Sequence, residues 1–247
     1  MDMVREPSPT SSRMALRVAA VLVVPALLWL AIVATSRARA DLHARSVSYG
    51  LERVLQSAND LGQVVAYRDW QPLQVEMQNA LSMDPGNPAL HRLAADMLAV
   101  PMKDGDQYRS FLDESRNEAM KAAILRPAFP YEWSNLAATK YRIGEIDTVL
   151  FRSLQNAAVL GPWEPSVQLA AIDAGFAVWD ELPKPVRENV LTLARNGARH
   201  YPNEVLNIAR SRGRLELVCE SAILGKMSQC REGTGGQVIP GNNMGAV

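Results

Sequence analysis

Apolar positions recur at helical spacing along almost the whole chain, and no segment alternates with the period of two that a half-buried strand requires. Residues 18–36, VAAVLVVPALLWLAIVATS, carry no charge. At 1.5 Å per residue such a helix reaches about 28 Å, close to the hydrocarbon thickness of a bilayer. Further on, Leu51, Val54, Leu55, Ala58, Leu61, Val64 and Val65 share one helical face, and Leu73, Met77, Ala80 and Leu81 share the next. They predict a helical pair over roughly 44–83, with Met83-Asp84-Pro85-Gly86-Asn87-Pro88 as its exit turn. Helices near 88–100 and 107–125 follow.

The clearest unit is 127–165. Its first helix starts at Pro130, where a missing N–H costs nothing in the first turn, and carries Trp133, Leu136, Ala137 and Tyr141. Gly144 ends it. The second carries Val149, Leu150, Leu154, Ala157 and Ala158 and stops before Gly161-Pro162. Further pairs are predicted at 165–180 with 184–200, and at 203–212 with 214–225. Each helix has one apolar face, which a single pair cannot bury, so the pairs need neighbours above and below. The fold class is therefore all-α: an N-terminal transmembrane helix followed by an α-solenoid of helical hairpins.

Repetition supports this organisation. Pro85, Pro127, Pro162 and Pro202 close successive units at intervals of 42, 35 and 40 residues. Five residues before them stand Ala80, Ala122, Ala157 and Gly197, small types where two helices approach. Three residues after come Pro88, Pro130 and Pro165, then Val205 in the last copy. The expected domains are a disordered N-terminus at 1–13, a transmembrane anchor at 14–36, a repeat domain at 41–230 and a disordered tail at 231–247, rich in Gly and Asn.

The N-terminal segment has a rival reading as a cleaved secretory signal, with Ala38-Arg39-Ala40 as the small-x-small site before Asp41. Its apolar run exceeds the roughly 7–15 residues of a signal core, which favours a retained anchor. Charge does not orient it: Arg5, Arg13 and Arg17 on one side face Arg37, Arg39 and Arg45 on the other. The short polar N-terminus and large C-terminal part favour an exported domain at the bacterial inner membrane, with secretion after cleavage as the alternative.

Composition narrows the function. Lys and Arg number 26 against 26 Asp and Glu, which removes the basic footprint needed to bind phosphate backbones, so no nucleic-acid partner is expected. His43, His91 and His200 stand far apart without a second ligand at i+3 or i+4. No metal, cofactor or catalytic constellation is predicted, and no phosphate loop or nucleophile elbow occurs; the chain is read as a non-enzyme. Cys219 and Cys230, with ten residues between them, either close a disulfide outside the cytoplasm or stand as a buried small residue and a free thiol. Aromatic residues crowd the central repeats. They either fill space between pairs or stack on sugar rings, and Tyr131 and Trp163, placed in turns, are the candidates for exposed partner or glycan contacts.

Two resemblances add to this reading. Trp133, Leu136, Ala137, Tyr141, Ala157 and Pro162 resemble a degenerate tetratricopeptide repeat, departing from it in period and in Gly197. The blocks RPAFPYEWSNLAATKYRIGE, AAVLGPWEPSVQLAAIDAGFAVWDELP and SRGRLELVCE resemble the VpsP family of membrane-associated proteins of bacterial exopolysaccharide biosynthesis and export, over residues 15–222. That resemblance implies a scaffold or accessory role, with the membrane and the proteins of a polysaccharide synthesis and export complex as partners. A direct polysaccharide-binding module and an assembly factor for another cell-envelope complex remain as alternatives.

Overall fold

The structure is a computed structural model and describes residues 9–60, 64–102, 105–219 and 230. Among the described residues it holds ten α-helices, one short 3-10 turn and no strand. The expected tail at 231–247 lies outside the described residues. Two compact units divide at Leu90 and His91, so the region expected as one array from 41 to 230 does not form a single unit.

The first unit is built on α1 (Pro9–Asp60), 52 residues without a break. It begins inside the N-terminal stretch expected to be disordered. It also runs straight through residues 37–44, where the sequence reading separates an anchor from the first repeat helix. The charges of Arg37, Arg39 and Asp41 interrupt the hydropathy pattern, yet nothing there breaks a helix, since the segment holds neither Gly nor Pro. Helix α2 (Tyr67–Met83) packs along its second half. There Ala40 and Val47 of α1 and Trp70, Met77 and Ala80 of α2 are buried. Ser36 Oγ donates to the Met83 carbonyl at 2.8 Å, and His43 Nδ1 lies 2.5 Å from Glu76 Oε2. The N-terminal half differs. From Val23 the helix is long and apolar enough to cross a membrane, and Val21, Val23, Val24, Leu27, Leu28, Trp29, Leu30 and Ile32 are all exposed.

The second unit holds the remaining helices. α3 (Pro88–Leu98) spans the division between the units; α4 (Gly105–Leu125), α5 (Pro130–Arg142), α6 (Thr148–Leu160), α7 (Pro165–Ala177), α8 (Lys184–Gly197), α9 (Pro202–Ser211) and α10 (Leu215–Cys219) follow. Four of them, α3, α5, α7 and α9, open on proline at the first helical position. Pro202 therefore opens α9, although the repeat alignment places it as a closing residue, so the last turn is shorter than the others. Gly144 and Gly213 follow α5 and α9 at φ 76° and 64°, a left-handed conformation that costs glycine no steric penalty. Asp147 caps α6, accepting from the Val149 and Leu150 amides at 3.0 Å each.

From α4 onward most helices pack against the next and the next but one: α5 on α4, α6 and α7; α6 on α8; α7 on α8 and α9. One core runs through them, with Leu150, Leu154, Val167, Ile172, Phe176, Val190 and Leu206 fully or almost fully buried. A smaller cluster of Ala95, Ala119, Ala123 and Leu136 joins α3, α4 and α5, and Ser115 Oγ closes it by donating to the Ala95 carbonyl at 2.8 Å. Helix α7 is buried on most of its circumference, consistent with a position between pairs.

Candidate functional site

The two aromatic candidates are placed differently. Tyr131 is the second residue of α5 and not part of a turn. It is half-buried and packed against the core. Its hydroxyl donates to Glu164 Oε2 at 2.5 Å, and that acceptor is the first cause of its raised pKa. Its ring lies 5.0 Å from Phe129, over which the Arg126 guanidinium sits at 4.6 Å. Trp163 does lie in a turn and is exposed. Trp133 and Tyr141 are half-buried against the core, as their inward spacing predicts, with Trp133 Nε1 donating to the Pro127 carbonyl at 2.7 Å.

The described cysteines are joined: Cys219 and Cys230 form a disulfide with Cα atoms 5.5 Å apart, within the normal range for the bond. Val218 and Cys230 are buried in the main core.

Two polar centres of the second unit were not singled out by sequence. A recess of about 420 Å³ is lined by Asp96, Ala99, Val100, Pro101, Tyr108 and Arg142. Asp96 is exposed at the recess, with protein close around its carboxyl. That burial pushes its carboxyl above the ordinary range, against the opposing pull of Arg92, the Asn135 amide and Arg142. Asn135 Nδ2 donates to Asp96 Oδ1 at 2.9 Å. Burial likewise raises the Tyr108 phenol, whose hydroxyl points to the Ala99 carbonyl at 3.4 Å.

Next to Arg142 in sequence, Tyr141 opens a second centre. Arg212 grips Asp173 with two bonds of 2.8 Å, Nε to Oδ1 and Nη2 to Oδ2. Its Nη2 also donates to the Tyr141 hydroxyl at 2.7 Å, and that hydroxyl donates to Asp173 Oδ2 at 3.0 Å. The carboxylate holds the Arg212 guanidinium firmly charged. This network ties α5, α7 and the end of α9 together.

A sequence signal for both centres existed. Counting from each helix-opening proline, Asp96 and Asp173 both occupy the ninth position. The partners Arg142 and Arg212 carry no comparable signal, because they reach the carboxylates through packing between helices.

Other charged groups are structural. Lys140, buried, lies 2.5 Å from Glu145 Oε2 and 3.0 Å from Asp147 Oδ2, and Arg116 bonds the same Glu145. His91 Nδ1 lies 2.5 Å from Glu118 Oε2, and both are largely buried. Burial raises the Glu118 carboxyl, but hydrogen bonds from Lys121 and His91 outweigh it and the net shift is downward. Glu132 is the exception: it is fully buried, neither carboxylate oxygen has a hydrogen-bond partner, and Arg126 approaches only to 3.6 Å. Burial pushes its carboxyl up. Among the described residues no group of His, Cys, Asp and Glu is arranged to hold a metal ion, and the three histidines stay apart.

No protein-family model matches the chain, and no curated protein matches it.

Proposed function

We propose that this chain is a membrane-anchored, non-enzymatic scaffold whose helical pairs stack as a tetratricopeptide-like solenoid outside the cytoplasm and hold partner proteins together at the bacterial inner membrane. One observation carries the reading. A single uninterrupted helix presents an apolar half whose described side chains from Val21 to Ile32 are exposed and, without a linker, a half that packs as part of a folded unit. Exposed Leu, Ile and Trp on every side of a helix are costly in water and at rest in lipid.

Retention of the anchor is favoured over cleavage. The candidate cleavage site sits within α1, where Ala40 is completely buried and Ser36 is bonded to Met83. Removal of everything before Asp41 would cut contacts the first unit uses. The disulfide favours an oxidising compartment for the second unit and so supports an exported orientation. Packing of helices on the next and next but one is what stacked hairpins require, and supports the solenoid.

The scaffold's binding surface is placed at the recess of Asp96, Tyr108 and Arg142. It offers a carboxyl, a guanidinium and a phenol, groups suited to an extended polypeptide with charges of both signs. By the resemblance of its sequence blocks to the VpsP family, the partners are proteins of exopolysaccharide synthesis and export. The alternatives are direct polysaccharide binding and assembly of another envelope complex. Of the two aromatic candidates only Trp163 has an open ring, while Tyr131 is committed to Glu164 and the core, which weighs against a sugar platform.

The test is the full chain with a C-terminal topology reporter, expressed in its host and purified in detergent with whatever accompanies it. The expected result is an exported reporter and co-purified synthesis or export proteins. A cytoplasmic reporter overturns the compartment, and recovery of polysaccharide without any protein overturns the scaffold.

A further inference from the structure

Two turns of the second unit lie side by side. The first runs from the end of α4 into α5, the second from the end of α6 into α7. The Tyr131 hydroxyl reaches Glu164 across them at 2.5 Å. A side chain on Gly161 would come within 2.7 Å of the Pro130 ring, so the two turns are packed as closely as glycine allows. Both carry the same pattern at the same register, Ile124-Leu125-Arg126-Pro127 and Val159-Leu160-Gly161-Pro162, 35 residues apart. In a soluble domain the last turn of a surface helix carries polar groups. Here Ile124 is 67% exposed, Val159 70% and Trp163 63%, with Leu125 and Leu160 exposed beside them. The positions at the same distance before Pro202, in the turn that follows α8, show what water would favour: Arg199 and His200, both exposed, occupy them.

We infer that this edge of the second unit is a membrane-contact surface, on which Ile124, Leu125, Val159, Leu160 and Trp163 enter the interfacial layer of the bilayer that holds α1. Three observations favour lipid over a protein partner. The five side chains project from helix ends and a turn, and none lines the recess described above; a rigid partner needs a groove to fill, whereas acyl chains and headgroups conform to separate protruding side chains. The composition is that of an interfacial belt, aliphatic residues with an exposed tryptophan and, at its margin, Phe129, Tyr131 and Arg126. The same chain carries its own membrane helix, so contact requires no separate recruitment: tethering supplies the local concentration that an isolated patch of five residues lacks. Such contacts reach about 5–10 Å into the headgroup and acyl boundary. The inference rests on the anchoring of α1 and adds a second, shallow point of attachment.

The experiment uses the full chain, disulfide intact, one copy per nanodisc of mixed zwitterionic and anionic phospholipid. The described cysteines are paired and the sequence holds no others, so Val159→Cys offers a single thiol for an environment-sensitive fluorophore, with Glu188→Cys on the exposed face of α8 as control. Lipids carrying a nitroxide just below the headgroup are expected to quench the label at 159 several-fold more than the label at 188. Combining Leu160→Ser and Trp163→Ala is expected to abolish the difference. Equal quenching at both positions overturns the inference, as does a label at 159 that is shielded from water but not quenched by lipid. Trp29 fluorescence, taken as the difference from Trp29→Phe, reports the anchor in the same sample. Its failure to respond to a deep nitroxide overturns the anchoring itself, whereas a quenched Trp29 with an unquenched label overturns only the edge contact.

Discussion

Helix α7 and the first half of α1 are both strongly apolar, and the fold treats them in opposite ways. In α7, Val167, Ala171, Ile172, Ala174 and Phe176 disappear into the centre of the second unit. In α1, Leu27, Leu28, Trp29 and Ile32 touch almost nothing. Hydrophobicity alone therefore does not decide where a helix goes. What separates the two is length and setting. Thirteen residues of α7 are bounded by Pro165 and the turn at Trp179 and fit between pairs, while among the described residues the apolar run of α1 is left uncovered.

The comparison can be broken from the α1 side first. Replacing Leu27 and Leu28 together by Arg is expected to cost about 6 kcal/mol of membrane insertion, at roughly 3 kcal/mol for each exchange near the helix centre. Carbonate extraction should release the double variant, while the helical content of the remaining chain is kept. A double variant that stays in the membrane fraction and resists extraction would show that α1 is not the anchor.

A cavity in the core around α7 is the reverse operation. Leu154→Ala, at a fully buried position of α6, is expected to lose about 2–5 kcal/mol of stability. Thermal denaturation of the detergent-solubilised protein should show the fall with membrane association intact. A change below about 1 kcal/mol would mean that the core is looser than its burial indicates.

The smallest effect has the opposite sign. Glu132 is buried without a hydrogen bond, and the guanidinium of Arg126 is open enough to solvent to remain hydrated alone. Glu132→Met is therefore expected to raise stability by about 1 kcal/mol at neutral pH. The pH dependence checks the cause. A carboxyl whose folded pKa is raised contributes stability in full below its unfolded value and loses it as pH rises through the folded one. The gain from Glu132→Met should thus shrink as pH falls through the raised folded value and be smallest once pH is below the ordinary glutamate range. Glu118, Glu145 and Asp147 are shifted downward. Their contributions are present above the unfolded value and are lost as pH falls through the folded one, so in the intact protein they oppose Glu132 on acidification.

The helices from α3 onward could be read from the chain because their limits are local. Proline at a first position, glycine after the last turn and an apolar face at helical spacing depend on residues close in sequence, and they set α5, α6 and α7 to within three residues. The join between anchor and first repeat helix was lost for the same reason. Arg37, Arg39 and Asp41 look like a boundary to hydropathy, though backbone geometry is indifferent to them. The polar centres were hidden by distance along the chain. Arg212 meets Asp173 and Tyr141 only because α7 and α9 pack together, and no spacing rule ties a residue at the end of one helix to the middle of another. Tyr131 adjoins a turn in sequence, but the proline at the first position puts its successor inside the helix.

The unbroken course of α1 has a mechanical consequence. With residues 18–36 in a bilayer, the stretch from 36 to 60 extends roughly 36 Å beyond it at 1.5 Å per residue. Between residues 37 and 60 the helix holds no proline and one glycine, Gly50, which packs closely against the Leu73 side chain, while Pro25 lies within the apolar half. A tilt of about 20°, ordinary for membrane helices, would swing the far end by about 12 Å. The rod is then a lever arm: changes in bilayer thickness or in the angle of neighbouring helices are converted into lateral displacement of α2, a signal that a flexible tether would absorb.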